Sequence, residues 1–236
     1  MSVPAQVLAS TRCQSLVDGP CQRLAVVHQS TDAWQLANLD GQAIASMVTP
    51  WAVRLPNSFV VPCLPSVVPS LILGGGRLMW DGHRVSVARW FAPARPRLPG
   101  LSAWLRPVAE IAAQTRAWRQ SLGGGSGLTP YADDVLAGAL VTLWAADDPR
   151  AVGWSAAVLS APLEELTTAT SAGLLRLASD GWCIEAVAQY LRAIANRQPL
   201  DPARTALVAV GHSSGRGLLE GVHRILDVAP IAESAA

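Results

Sequence analysis

The first half of the chain alternates short apolar runs with turn residues, which is typical of strands. Between residues 24 and 98, apolar runs such as those at 24–28 and 58–62 are bounded by glycine, proline and aspartate. The dipeptides Asp40-Gly41 and Asp81-Gly82 favour hairpins, and three glycines at 74–76 separate two further runs. Frequent prolines suit short edge strands and corners. This half therefore predicts an antiparallel sheet or a small barrel.

The second half has helical spacing of its apolar residues. After the proline-rich segment 93–100, a helix is predicted from Ser102 to Leu122, with further helices at about 129–146, 151–160, 162–178, 183–196, 202–210 and 216–227. Thr129-Pro130 and Asp201-Pro202 each predict a side-chain cap before a proline in the first turn. We predict an α+β fold, with a β-rich domain over 1–97 and an all-helical domain over 98–236.

Composition narrows the class of protein. Half of the residues are apolar and 15% are charged, which excludes a disordered chain. All 18 basic residues are arginine, so Schiff-base chemistry, pyridoxal anchoring and a Walker A lysine are excluded. The net charge of +1 and the absence of any long apolar run predict neither nucleic acid nor membrane as a partner. Four cysteines without CxxC spacing, and no secretory signal, predict a cytoplasmic protein without metal or cofactor.

A first glycine-rich loop lies at 123–127 and leads directly into a predicted helix. Four glycines in five residues allow the backbone amides to converge, and the unpartnered amides of a helix start favour an anion. Asp133 and Asp134 follow one turn later. These carboxylates would hold the loop, bind a substrate amide or amine, or transfer a proton. The alternative is a flexible linker between two helices that has acidic first-turn residues.

A second loop, Gly211 to Gly215, formally matches the G-x-S-x-G nucleophile elbow with Ser213 as nucleophile. That elbow follows a strand, whereas a helix is predicted before Gly211. Only 21 residues follow Gly215, and the one downstream histidine, His223, lies on the next predicted helix. We therefore predict a second helix start suited to an oxyanion or a phosphate. For His212 the alternative is a capping or core histidine.

Together the two loops resemble a known family. The segment Gly125 to Gly138, with the pattern G-x-G-L-T-P-x-x-D-D-x-L-x-G, is similar to the signature of the AllH-type subunit of oxamate carbamoyltransferase. The segment Gly211 to Gly221 is similar to that family's second motif, G-H-T-S-G-x-D-x-L-x-G. Three departures stand out: Tyr131-Ala132 replaces Ser-Gly, Gly217 replaces an aspartate, and Ser213 replaces a threonine.

The resemblance implies a reaction and partners. The family works with two larger subunits in purine-nitrogen catabolism and would convert oxalurate and phosphate into oxamate and carbamoyl phosphate. By this resemblance we expect an AllH-like component of a carbamoyltransferase-type enzyme that acts on a small anionic substrate. The departures at Tyr131-Ala132 and Gly217 suggest an altered substrate or a lost activity.

Residue roles follow from the loops and the resemblance. The amides and hydroxyls would hold the anion, an arginine would neutralise it, a histidine would polarise the carbonyl, and a carboxylate would orient the amide nitrogen. The catalytic candidates are Asp133, Asp134 and His212; the candidates for substrate or anion binding are Gly125, Gly127, Thr129, Tyr131, Ser213, Ser214, Gly215, Arg176 and Arg216.

Two other functions remain open. The chain could be a stand-alone cyclase, lyase or isomerase of small-molecule metabolism that uses the Asp-Asp pair and His212 as acid and base. It could also be a non-catalytic subunit whose apolar surface docks onto an enzyme. Larger enzyme subunits or further copies of this chain are the macromolecular partners considered.

Overall fold

The structure, a computed structural model, describes residues 4–107, 118 and 120–228. Its first part contains eight strands, with a short 3-10 helix, Thr11–Cys13, and helix α1, Gln14–Asp18, after the first of them. The strands are β1 Gln6–Ser10, β2 Gln22–Gln29, β3 Ala33–Ala37, β4 Ala43–Val48, β5 Ser58–Val60, β6 Leu71–Gly74, β7 Arg77–Trp80 and β8 His83–Phe91. They form a closed barrel in the order β1-β5-β4-β3-β2-β6-β7-β8.

The predicted hairpins are confirmed. Asp40-Gly41 turns β3 into β4, and Asp81-Gly82 turns β7 into β8 with positive φ at both residues (47° and 78°), as a tight hairpin turn requires. The three glycines at 74–76 join β6 to β7, and all have positive φ. Here local turn chemistry determined the pairing of neighbouring strands.

The barrel is not wholly antiparallel, which corrects the sequence prediction. β1 pairs in parallel with β8 and closes the barrel, and β4 pairs in parallel with β5. Parallel neighbours need a crossover instead of a tight turn. The segment 49–57 provides that crossover between β4 and β5.

Helices make up the second part. It begins with a 3-10 helix, Pro99–Trp104, and continues with α2 Tyr131–Ala145, α3 Arg150–Leu159, α4 Leu163–Leu166, α5 Ala169–Ser179, α6 Glu185–Ala195, α7 Asp201–Val208 and α8 Ser214–Ile225. The α+β fold, strands first and helices after, is therefore confirmed. None of the described helices is long and apolar enough to cross a membrane.

Two predicted helices differ from those observed. Ser102 lies in the 3-10 helix, and Leu105 is extended and forms a bridge with Leu226, so no α-helix begins at residue 102. Most of the remainder of that prediction, at 108–117 and 119, lies outside the described residues. The predicted helix 162–178 is two helices, because Thr167 adopts an extended conformation between α4 and α5.

The two predicted caps are also wrong. Helix α2 begins at Tyr131 after Pro130 without a side-chain cap, and the Thr129 hydroxyl instead contacts Ser214 Oγ at 2.8 Å. Asp201 is itself the first residue of α7, after Leu200. In both cases the local pattern located the helix start correctly, but the predicted side chain does not cap the helix.

Helices α2 and α8 pack with their backbones in contact. A Cβ atom at Gly138 would lie 2.2 Å from Leu218 O, and one at Gly221 would lie 2.1 Å from Val135 O. Any side chain at either glycine would force the helices apart. The glycines therefore permit the close crossing that brings the starts of α2 and α8, and hence both glycine-rich loops, together.

The barrel meets the helices along β3 and β4. Strands β3, β4 and β5 are buried over most of their length, whereas β2 and β8 each have one buried residue and are otherwise half-buried or exposed. The inward side chains, such as Trp34 and Met47, fill the barrel core. On the other face, Gly173 of α5 lies so close to β4 that a Cβ there would be 2.8 Å from Ala43 O.

Candidate functional site

A cavity of about 340 Å³ lies where the barrel meets the helices. One side is formed by β3, the end of β4 and the 49–57 segment; the other is formed by α2, α5, the start of α6 and the ends of both glycine-rich loops. Leu128 and Thr129 come from the first loop, and Gly211 and Ser214 come from the second. The two predicted loops thus meet at one cavity between two structural units, a common location for ligand sites.

Asp134 is the acidic group in the wall of this cavity. Its side chain is only 6% exposed, and its Oδ2 has no hydrogen-bond partner among the described residues. Burial raises the pKa of Asp134 to about 7, and the charge of Asp133 adds to the increase. Hydrogen bonds from Ser214 and Thr129 act in the opposite direction. A carboxyl group with a pKa near 7 can accept or donate a proton at neutral pH, as a general acid or base must.

Asp133 has a different environment, although it is adjacent in sequence and only 1% exposed. It accepts hydrogen bonds from the Gly123 amide (2.9 Å), the Ser171 hydroxyl (2.6 Å) and the Thr167 hydroxyl. These donors belong to the first loop and to the region where α5 begins. Of the three roles considered for these carboxylates, holding the loop is the one this geometry favours for Asp133.

Tyr131 lies beside the cavity wall without being part of it. Its hydroxyl donates to the Glu220 carboxylate, which also accepts from Arg224 Nε at 3.0 Å. Burial, together with the hydrogen bond to Glu220 and that residue's charge, raises the pKa of Tyr131 to about 12. The phenol is therefore a neutral hydrogen-bond donor.

The two family departures at Tyr131 and Gly217 are in contact. A Cβ atom at Gly217 would lie 2.7 Å from Asp134 Cβ and 3.4 Å from Tyr131 Cδ2. The obstacle to a side chain at residue 217 is therefore Asp134 Cβ, together with the backbone oxygen of Tyr131 at 3.1 Å, whereas the tyrosine ring is only at ordinary contact distance.

The remaining loop residues are divided between packing and the surface. Gly125 and Gly127 are exposed with φ of 118° and 103°, and His212 is exposed. Gly215 is buried, and a Cβ there would lie 2.0 Å from Leu207 O. The backbone carbonyl of Ser213 accepts a hydrogen bond from the Gly217 amide at 3.0 Å. None of these five positions lines the described part of the cavity.

Neither of the two candidate arginines lines the cavity beside Asp134. Arg176 Nη2 pairs with Glu164 Oε1 at 2.7 Å, and the residue lines a separate cavity of about 240 Å³ together with Arg12 and Asn57. Arg216 is exposed in the first turn of α8. Thus, of the predicted residues, the structure brings Thr129, Asp134 and Ser214 together at the cavity.

The contribution of the barrel to the site was not predicted from the sequence. Gln35 lines the cavity, is 5% exposed, and accepts a hydrogen bond from Ser46 Oγ at 2.8 Å. Its NH₂ group remains a potential donor. The sequence feature that could have indicated Gln35 is its polar side chain between Trp34 and Leu36 in an otherwise apolar strand. A second missed residue is Trp182, which lines the cavity.

No group of three or more histidine, cysteine, aspartate or glutamate side chains in the described part of the chain could hold a metal ion. The four cysteines are free thiols, and burial raises the pKa of Cys183, which lines the cavity, to about 12. At neutral pH this thiol is protonated and therefore a poor nucleophile.

Comparison with protein families agrees with the loop motifs. The model of the family described as "Oxamate carbamoyltransferase subunit AllH" matches residues 121–226. That range contains both glycine-rich loops and helices α2 to α8, whereas the barrel lies outside it. The resemblance of the helical part to AllH is thus confirmed. No solved structure matches the chain.

Proposed function

We propose that this chain, AllH-like over residues 121–226, is a component of a carbamoyltransferase-type enzyme and binds the carbamoyl group of a small substrate beside Asp134. The observation that carries the proposal is the position of Asp134. It is a buried carboxyl group with a pKa of about 7, lies within the family-matched segment, and is flanked by two hydroxyl groups in the wall of a cavity.

A carbamoyl group suits this arrangement chemically. Its N–H groups are donors that a carboxylate oxygen can accept, and its carbonyl oxygen can accept from a hydroxyl group such as that of Thr129 or Ser214. Donation to the carboxylate would satisfy the buried Oδ2 of Asp134. With a pKa near 7, the protonated form of the same group could donate a proton to the oxamate nitrogen as its bond to the carbamoyl carbon breaks and a phosphate oxygen bonds to that carbon.

Phosphate, the second reactant of the family reaction, requires a different position. No arginine or histidine lines the cavity formed by the described residues, so phosphate would lack a counter-charge there. The exposed face of the loops, with Gly125, Gly127, His212 and Arg216, is where we place the anion. A larger partner subunit would complete that exposed site.

A stand-alone acid–base enzyme is the second candidate. The pKa of about 7 for Asp134 favours it, because a cyclase, lyase or isomerase needs such a group at neutral pH. In this alternative Asp134 acts without its neighbour, since Asp133 is engaged by the loop. Turnover by the isolated chain would favour this function over that of a subunit.

Titration calorimetry with Asp134→Asn tests the main proposal. Oxalurate, carbamoyl phosphate, urea and phosphate would be titrated into the chain, alone and with the larger subunits. We expect carbamoyl ligands to bind and the substitution to weaken them at least about tenfold, the loss of one charge-assisted hydrogen bond. The control is Asp147→Asn, at an exposed residue with φ of 57° that asparagine tolerates.

Two outcomes would contradict the proposal. One is that no carbamoyl ligand binds either the chain or the complex. The other is that Asp134→Asn binds these ligands as tightly as the unmodified chain. If the complex assembles and remains fully active with Asp134→Asn, the chain is a non-catalytic subunit.

A further inference from the structure

We infer that the cavity beside Asp134 prefers a ligand with an uncharged, apolar body attached to its hydrogen-bonding group over a small anion such as oxalurate. The inference rests on the proposed function for the carbamoyl group and adds the chemical class of the rest of the molecule. It depends on the lining of the cavity, its charge and its size.

The cavity walls are mainly aliphatic. Side chains from the barrel, such as Val48 and Leu55, face others from the helices, such as Val141, Leu177 and Val187. Among the described lining residues, Asp134 alone carries a formal charge at neutral pH. Walls of this kind bind apolar surface, because water is released when that surface is buried.

The charge at the site disfavours a second anion beside Asp134. A ligand carboxylate there would be desolvated without a cation and would lie close to another acid. Burial already disfavours the charged form of Asp134 itself, as its raised pKa shows. An uncharged amide or urea avoids this penalty and can still donate an N–H group.

The size of the cavity also favours a larger ligand. Its volume of about 340 Å³ falls within the range of roughly 300–1,000 Å³ that is usual for pockets enclosing drug-sized molecules. A molecule as small as oxalurate would leave apolar wall facing water. An aromatic ring or a short alkyl chain would cover that wall.

Trp182 gives the cavity a rigid aromatic side. The guanidinium groups of Arg12 and Arg95 each lie 5.2 Å from the centre of its ring, so the indole is held by two cation–π contacts. Trp182 thus adds a fixed aromatic side chain to the apolar wall of the cavity. The apolar body of the ligand would pack against it.

A series of ureas tests the inference on the full chain. Urea, methylurea, propylurea and phenylurea would be titrated in parallel with oxalurate, with binding followed by NMR. We expect affinity to rise about fourfold per added CH₂ group, the change that corresponds to about 0.8 kcal/mol. Equal affinity along the series, or oxalurate binding more tightly than phenylurea, would overturn the inference.

A pair of variants locates the binding in this cavity. Val53 is 41% exposed and lines the cavity, so Val53→Phe should fold normally and narrow the space. Val27 is 45% exposed on β2, outside the lining, and Val27→Phe is the matched control. We expect Val53→Phe to weaken phenylurea at least about fivefold and Val27→Phe to leave it unchanged. Equal phenylurea binding by the two variants would contradict the inference.

Toluene separates this inference from the proposed function. If toluene binds and no urea does, the apolar cavity stands while the carbamoyl contact to Asp134 fails. If urea binds but larger ureas and toluene bind no better, the proposed function stands and the apolar class is wrong. Binding of both toluene and the larger ureas supports the two together.

Discussion

The two regions around Asp133 and Asp134 show how neighbouring carboxylates acquire different roles. Consecutive residues on a helix point about 100° apart, so the two side chains of α2 face different surroundings. Asp133 faces donors from the loop and the α5 region, which satisfy its charge. Asp134 faces a mainly apolar cavity with an unpartnered oxygen among the described residues. Whether a buried carboxylate is structural or reactive therefore depends more on the hydrogen-bond donors around it than on how deeply it is buried.

The largest expected change in stability comes from removing Asp133, the carboxylate that holds the first loop. Asp133→Ala would leave the Gly123 amide and the hydroxyls of Thr167 and Ser171 without their acceptor. We expect a loss of about 3–5 kcal/mol in the free energy of unfolding, measured by urea denaturation. A loss below about 1 kcal/mol would show that the loop does not depend on Asp133.

Asp134→Asn should raise the free energy of unfolding, whereas Asp133→Ala should lower it. The pKa is about 7 in the folded chain against 3.8 for the free group, so the folded state binds the proton more tightly. The stability due to this carboxyl group is therefore complete at low pH and is lost as the pH rises through 4 to 7. Asparagine removes that dependence. We expect the variant to be more stable at pH 8, by up to about 4 kcal/mol, and the difference to shrink towards pH 4.

Urea denaturation at pH 4, 6 and 8 measures this change, with Asp147→Asn as the exposed control. The control should follow the unmodified chain at each pH. If Asp134→Asn destabilises the protein at pH 8, the hydrogen bonds from Ser214 and Thr129 outweigh the cost of burying the charge, and the contrast with Asp133 fails.

The close contact of α2 with α8 at Gly138 and Gly221 gives a third prediction. Gly221→Ala would place a Cβ 2.1 Å from Val135 O and push α8 away from α2. We expect a loss of about 1–3 kcal/mol together with weaker ligand binding, since Ser214 moves with α8. Gly153→Ala is the control: the space around Gly153 in α3 is open, so alanine should stabilise by about 1 kcal/mol. Equal stability of the two variants would contradict the close crossing.

The smallest expected changes come from removing one hydroxyl group beside each aspartate. Ser171→Ala removes a donor from Asp133 and should lower stability by about 1–2 kcal/mol. Ser214→Ala removes a hydrogen bond that lowers the pKa of Asp134, so that pKa should rise further. Denaturation measures the first change and NMR titration the second. A pKa of Asp134 that falls in Ser214→Ala would contradict the described contact.

Local sequence signals predicted much of the fold. The helices of residues 129–227 and the hairpins at Asp40-Gly41 and Asp81-Gly82 depend on neighbouring residues, which a sequence displays directly. The parallel closure of β1 on β8 pairs residues about 80 positions apart, and no local pattern indicates it. The break at Thr167 was missed because the apolar spacing continues across it.

The site was predicted only in part, for a related reason. The motif placed Thr129, Asp134 and Ser214 on two helix starts, and the structure brings them together. Other motif residues, Gly138 and Gly221, were given no role, and they prove to be the points where two backbones touch. The roles of the two aspartates could not be distinguished, because the donors to Asp133 and the cavity beside Asp134 come from distant parts of the chain.

The most direct test of the account is the titration of Asp134 by ¹³C NMR of the aspartate side chains, with and without phenylurea. We expect one carboxyl group with a midpoint near 7 that is absent from Asp134→Asn. Its midpoint should fall when phenylurea donates its N–H group to the carboxylate. Titration of every aspartate below about pH 5, or a midpoint near 7 that phenylurea leaves unchanged at saturation, would contradict it.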